Sequence, residues 1–290
     1  MSQTKTLAQT PPFAELAQVL RDTVGQQTAI FLVNDGNWGD SLIREGAEKF
    51  LTFHGIRYVS LRFKDLEKGK ITVDALKARH GADSPLIFNG GAALDPRYGR
   101  LPFVAALTHQ FAQTVLLPAS FPVPLAPFNF APRTRIFSRD LSESLTNVPQ
   151  ATFCHDMAFY LTMPDIAPSR DNGCFMRTDS ERPTDAPVPA NNNDLSLKGR
   201  AETPVQGFIA EIARYRTVYT NRLHIGICAA LLGRQVYLSG NDYYKIRAIY
   251  DASIAPNFDR VVFGQTFDMP PEFFRPQPKG LWQRLGFGRA

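Results

Sequence analysis

Short, continuous apolar runs alternate along this chain with longer segments whose apolar residues recur every three or four positions. The first kind fits a strand buried on both faces, and the second fits a helix with one face against a core. Phe13, Leu16, Ala17 and Leu20 predict a helix over 12–22, and the run TAIFLV predicts a buried strand over 28–33. A polar turn at 34–38 then leads into a helix over 41–54 that carries Leu42, Ala47, Phe50 and Leu51 on one face. Strands at 57–62, 84–88, 114–117 and 135–137 follow, interleaved with helices at 72–80 and 99–112 and a short helix ending near 145. Such alternation builds a doubly wound parallel sheet, whereas the proline-rich stretch 118–132 reads as irregular loop.

A strand and turn at 151–160 close this half, and the composition then shifts. Residues 163–171 read as a linker, 173–177 begin a second set of strands, and 179–204 form a long polar excursion of the sort used for lids and binding loops. A helix over 205–214 leads to a strand at 217–220, after which Asn221 is placed to cap a helix bearing Leu223, Ile227, Ala230 and Leu231. A strand at 235–238, a helix start after Ser239-Gly240-Asn241 and a last strand at 260–263 complete the pattern. The expectation is α/β throughout, with two Rossmann-like units divided at 162/163: 1–162 and 163–290.

A length of 290 residues allows both units their own core, and the 44% hydrophobic, 20% charged composition is that of a globular protein. The net charge of +5 suits anionic small substrates, an acidic membrane surface or nucleic acid. No basic run and no nucleic-acid-binding signature is present, so nucleic acid is not an expected partner. Cys154, Cys174 and Cys228 have neither an even count nor metal-ligand spacing and read as reduced core residues. The polar amino terminus lacks a signal-peptide pattern and no apolar stretch approaches bilayer length, which predicts a cytoplasmic protein. The tail 279–290 alternates basic and bulky apolar residues and would suit peripheral contact with the inner face of a membrane as well as a loose terminus.

Chemistry gathers at strand-to-helix junctions, the edge where parallel sheets bind ligands. Arg222 and His224 open one helix and Lys245 and Arg247 the next, a guanidinium fork and an ammonium for anions beside an imidazole that titrates near neutral pH. Arg177 ends the strand before them, while Asn37 and Asp40 belong to the amino-terminal glycine turn, with Asp40 expected at a helix N-cap. Asn89 and Arg139 end two further strands. His155 and Asp156 are adjacent and, on a strand, would point to opposite faces, which argues against a shared role. Neither a dinucleotide fingerprint nor a P-loop, nucleophile elbow or zinc motif occurs.

Arg222-Leu223-His224 at a helix start, Leu231-Leu232-Gly233, a strand, then Asn241 followed by Tyr243-Tyr244-Lys245-Ile246-Arg247 resembles the carboxyl half of the polysaccharide pyruvyl transferases. The turn Gly36-Asn37-Trp38-Gly39-Asp40-Ser41-Leu42-Ile43 is similar to the family's amino-terminal turn, with Asn89-Gly90-Gly91 and Ser138-Arg139-Asp140 as fainter echoes. The resemblance runs from about residue 29 to about residue 251 and leaves 172–203 unmatched. It implies two facing Rossmann-like halves with the site in the cleft (the GT-B plan), phosphoenolpyruvate as donor and a saccharide acceptor, lipid-linked or polymeric. The first half would then be the acceptor side and the second the donor side. His224 would be the acid/base, and Asp40 would take or orient an acceptor hydroxyl. Arg222, Arg177 and Lys245 would hold the donor's carboxylate and phosphate, with Asn37, Asn89 and Arg139 as further contacts. No cofactor and no metal is implied. Two rival readings stand beside this one: a nucleotide-sugar glycosyltransferase of the same plan, for which Gly240-Asn241-Asp242 is a faint ribose contact, and an inactive binding protein of the same fold.

Overall fold

Two parallel sheets carry the chain in a computed structural model that describes residues 7–274 except 180, 183–187, 242 and 266. The tail sequence 279–290 therefore lies outside the described residues. The first sheet comprises β1 (Ala29–Val33), β2 (Tyr58–Arg62), β3 (Leu86–Phe88), β4 (Thr114–Ala119), β5 (Thr134–Ser138) and β6 (Thr152–Phe153), in the order β2-β1-β3-β4-β5-β6. Its helices are α1 (Pro11–Val24), α2 (Trp38–Phe53), α3 (Phe63–Glu67), α4 (Val73–His80), α5 (Leu101–Thr108) and α6 (Glu143–Asn147). Strand periodicity sorts the side chains: Ala29, Phe31 and Val33 join α1 and α2 in one buried cluster, while Ile30 and Leu32 join α3, α4 and α5 in another. This sheet is thus covered on both faces, as the continuous apolar runs require.

The second sheet holds β7 (Arg170–Phe175), β8 (Tyr215–Thr220), β9 (Gln235–Ser239) and β10 (Val261–Gly264), in the order β10-β9-β8-β7. Its helices are α7 (Gln206–Ala213), α8 (Leu223–Leu231) and α9 (Lys245–Ile249), the last running into a π-helical turn at Tyr250–Ile254. Strand order follows chain order without reversal, so right-handed crossovers leave the connections on one face. The doubly wound expectation therefore fails for this sheet. Phe175, Val218, Val236 and Leu238 face α7 and α8, whereas Cys174, Met176, Tyr219 and Tyr237 are covered by Phe267, Met269 and Phe273 from the following segment.

One buried cluster extends from Phe13 and Phe50 through Phe159 to Phe208, Ile227 and Val236, so the two sheets share a core across the expected boundary at 162/163. Helix α2 is central to it. Gly46 lies so close to the turn Met157–Tyr160 that a Cβ there would sit 2.0 Å from the Met157 carbonyl oxygen. Phe50 is fully buried, and its truncation to alanine would cost about 3–5 kcal/mol. The helix stops where Gly55 takes φ 69° and Ile56 N–H bonds back to the Leu51 carbonyl at 2.9 Å. No described helix is long and apolar enough to cross a membrane.

Candidate active site

The carboxyl ends of both sheets border a cavity of about 310 Å³. The sequence-predicted residues Asn37, Asp40, Asn89, Arg139, Arg177, Arg222, His224 and Lys245 all line it. Strand order reverses at β1, which lies between β2 and β3, and the segments after β1 and β3 open onto the cavity, as expected for the switch point of a parallel sheet.

Short-range hydrogen bonds build the side contributed by the first sheet. Asn37, not Asp40, is the N-cap of α2, and the helix begins at Trp38, three residues before the expected start. The Asn37 Oδ1 accepts the Gly39 N–H at 2.8 Å, and the Asp40 carboxylate reaches back to accept the Asn37 N–H at 2.8 Å. This capping box satisfies helix-start donors that the sequence reading assigned to one aspartate. Asn34 Nδ2 donates to the carbonyls of Asn89 and Gly90 at 2.7 and 2.9 Å and joins the two loops. Gly90 is packed so closely that a Cβ would lie 2.0 Å from the Pro118 carbonyl oxygen. Trp38 fixes the same helix end to the other half, donating its Nε1–H to the Pro204 carbonyl at 3.0 Å.

Long charged side chains build the other side. Asn221 does not cap α8; its Oδ1 accepts the Arg177 N–H at 2.7 Å, and Arg222 holds the N-cap position without a side-chain bond. The Arg222 guanidinium is buried in a bidentate pair with Asp194, Nε to Oδ1 at 2.9 Å and Nη2 to Oδ2 at 2.6 Å. Its Nη1 lies 2.9 Å from Asp179 Oδ2 without hydrogen-bond alignment. Arg177 contacts Asp179 at 3.2 Å, also misaligned, and is hydrogen-bonded to Glu181. Burial would raise the Glu181 carboxyl, but Arg177 and Lys245 outweigh it and hold it low. Lys245 keeps part of its side chain open to the cavity and has no carboxylate within ion-pair distance among the described residues. Its pKa falls to about 8, first because its ammonium is desolvated, with Arg139 and Arg177 adding repulsion. Arg247, placed by sequence on the same edge, instead pairs with Asp251 at 2.6 Å on the surface.

His224 sits between these sides, its ring 13% exposed, and its Nε2 lies 3.7 Å from Asp156 Oδ2. Asp156 is fully buried and bonded to Arg139 Nη1 at 2.6 Å, and Arg139 Nε donates to Ser120 Oγ at 2.9 Å. Burial would raise the Asp156 carboxyl, but His224 and Arg139 hold it well below the ordinary carboxylate range. His155 and Asp156 turn to different partners, and strand alternation is not the reason. Strand β6 ends at Phe153, and Asp156 caps the next turn through Ala158 N–H at 2.9 Å. His155 turns to Ser253 Oγ at 2.8 Å, and burial lowers its pKa to about 4, so it is a neutral core residue. Sequence reasoning missed Asp179, Glu181 and Asp194 because they lie in the unmatched polar excursion, and it set Asp156 aside. Among the described residues no cluster of three or more His, Cys, Asp or Glu is arranged to hold a metal ion.

A parallel α/β protein whose sheet edges converge on a cavity lined by five cationic side chains and an imidazole has the groups to hold a small anion beside a proton-transfer group. The family model for polysaccharide pyruvyl transferases matches residues 37–243, and the chain belongs to that family. Its fold is similar to that of a functionally uncharacterized protein from Klebsiella pneumoniae subsp. pneumoniae NTUH-K2044, known from a crystal structure. The TM-score is 0.70 at 23% identity, over 89% of this chain and 100% of that one. No curated protein matches the chain.

Proposed function

We propose that this protein transfers pyruvate from phosphoenolpyruvate to two hydroxyls of one sugar, in a surface polysaccharide or its lipid-linked precursor, and leaves a cyclic ketal. The observation that carries this reading is the pairing of Arg139, Arg177, Arg222 and Lys245 with His224 in one cavity, in a member of this family. Phosphoenolpyruvate needs several cations and one proton: cations to hold its carboxylate and phosphate, and a proton to turn the enol methylene into a methyl. His224 protonates the methylene carbon, and the adjacent carbon becomes oxocarbenium-like. A sugar hydroxyl attacks there, phosphate leaves, and a second hydroxyl of the same sugar closes the ketal.

In this scheme Lys245, Arg177 and Arg222 hold the donor against the second sheet, so 163–290 form the donor side. Asp40, Asn37 and Asn89 face the acceptor from 1–162, the two halves opposing one another in a GT-B-like manner. Asp179 is the carboxylate that a bound anion displaces most readily, because its contacts with Arg177 and Arg222 are misaligned. A lipid-linked acceptor places the reaction on the cytoplasmic face of a membrane.

Incubating the protein with a panel of lipid-linked saccharides and either phosphoenolpyruvate or nucleotide-diphospho sugars decides between donors. Phosphate release that depends on both phosphoenolpyruvate and acceptor is expected. Nucleotide release instead would make the protein a glycosyltransferase, and neither release, with no thermal shift on adding phosphoenolpyruvate, would make it a binding protein of this fold.

A further inference from the structure

His224 has two ring nitrogens in different surroundings. Nε2 is buried, has no hydrogen-bond partner among the described residues, and faces Asp156 Oδ2 at 3.7 Å. Nδ1 lies on the side of α2, where a Cβ added at Gly39 would stand 3.2 Å from it. Asp156 cannot turn away from the ring, because its Oδ1 accepts the Ala158 N–H at 2.9 Å and its Oδ2 is held by Arg139 at 2.6 Å. Arg139 is in turn fixed by Ser120 Oγ at 2.9 Å. A carboxylate clamped this near one nitrogen favours the tautomer that carries its N–H there.

We infer that Asp156 is a positioning residue that keeps the proton of neutral His224 on Nε2, so that Nδ1, at the cavity beside Gly39, is the nitrogen that carries protons to and from the substrate. This rests on the proposed pyruvyl transfer for its chemical meaning but not for its test. In that reaction the imidazolium gives its Nδ1 proton to the methylene carbon, whose π electrons form the new C–H bond. The ring is then neutral with Nε2–H toward Asp156, which stays ionised throughout. The proton of the first attacking hydroxyl leaves with phosphate. The hydroxyl that closes the ketal gives its proton to Nδ1 and restores the imidazolium.

The other charged groups around the cavity are Arg222 in the same turn, Asp40 from α2, Lys245 from α9, the pair Arg100 and Asp35, and Arg139, Arg177, Asp179 and Glu181. Several of these are cations that repel a positive ring, and Asp156 is the fixed anion that faces Nε2.

The test is nitrogen-15 imidazole spectroscopy on the full-length protein, with His224→Gln used to assign its signal among the five histidines. The neutral wild-type ring is expected as the Nε2–H tautomer. In Asp156→Asn, which removes the charge facing Nε2, the ring should lose that preference and populate the Nδ1–H tautomer as well. Phosphoenolpyruvate binding, read by calorimetry, should stay within about threefold, while turnover drops tenfold or more, as expected when the proton-carrying nitrogen is no longer fixed. An Nδ1–H tautomer in the wild type, or an unchanged tautomer in a folded Asp156→Asn protein, overturns the inference. These spectra decide it even if phosphoenolpyruvate proves not to be the donor, whereas absence of phosphate release with the expected tautomer would overturn only the functional reading.

Discussion

The two sheet edges that meet at the cavity are built by different physical means. On the first, Asn34, Asn37 and Asp40 are locked by bonds to backbone groups, mostly within a few residues of themselves, so the local chain sets the geometry. On the second, Arg177 and Arg222 are held by Asp179, Glu181 and Asp194, carboxylates from the polar excursion that follows β7. A capped helix start loses little when one side chain changes, whereas a buried arginine deprived of its carboxylate geometry leaves a charge poorly compensated. Substitutions on the second edge should therefore alter stability and donor binding together, and those on the first should separate them.

The largest effect is expected between the edges. His224→Gln keeps a hydrogen-bond donor but delivers no proton, so turnover should drop by about 10² to 10⁴, with phosphoenolpyruvate still binding. Near wild-type phosphate release from the variant would leave His224 as packing. Next comes Arg222→Lys, which keeps the charge and loses the fork on Asp194. Its folding stability, read by urea denaturation, should fall by roughly 1.5–3 kcal/mol, with a parallel loss of donor affinity. A drop in affinity at unchanged stability would place Arg222 with the local, separable kind of residue.

Lys245 is the exception on the second edge, since no described carboxylate pairs with it. Lys245→Met should weaken phosphoenolpyruvate binding by about 1.5–3 kcal/mol without destabilising the fold. The wild type offers a sharper check through pH. The lysine's folded value of about 8 lies below its ordinary 10.5, so the unfolded chain binds more protons between them, and the free protein should gain stability as pH rises through that window. Donor affinity should move the opposite way and decline as pH passes 8. Parallel trends would mean that Lys245 is not the donor's cation. Glu181→Gln, removing a carboxylate beside Arg177, should tighten donor binding by roughly 0.5–1 kcal/mol in calorimetry, a modest gain because Glu181 is partly exposed.

Much of this was legible in the chain. The apolar runs located nearly every strand, and the strand-to-helix junctions carried all eight predicted site residues to one cavity, because parallel sheets bring their carboxyl ends to one edge whatever the order of strands. What the periodicity does not encode is the winding. The pattern of Val218, Tyr219 and Thr220 alternates equally well whether helices lie on both faces or, as here, a carboxyl-terminal segment covers one. Pairing partners were hidden for a related reason. Asp194 is 28 residues from Arg222 in a stretch with no periodicity, and nothing local marks it as the guanidinium's partner. The position of Asp156 beside His224 was hidden because strand alternation does not apply beyond Phe153, where β6 ends.

The smallest expected effect falls on the first edge and tests its separability most directly. Asp40 is the third residue of α2, where its carboxylate accepts the Asn37 N–H and favours the positive end of the helix dipole. Asparagine at this position can still accept that N–H through its amide oxygen and loses only the charge, so Asp40→Asn should cost no more than about 0.3–1 kcal/mol of stability. Its other oxygen is free of hydrogen bonds among the described residues, within the cavity that Asn37 and Asn89 also line. If that oxygen orients or deprotonates an acceptor hydroxyl, the variant should unfold near the wild-type urea concentration, bind phosphoenolpyruvate as tightly, and lose turnover because an amide is no base. Turnover retained in full would reduce Asp40 to its capping box and leave the first edge without a group that touches the acceptor's protons. A stability loss of several kcal/mol would instead show that this edge is as interdependent as the second, and the contrast between the two would fail.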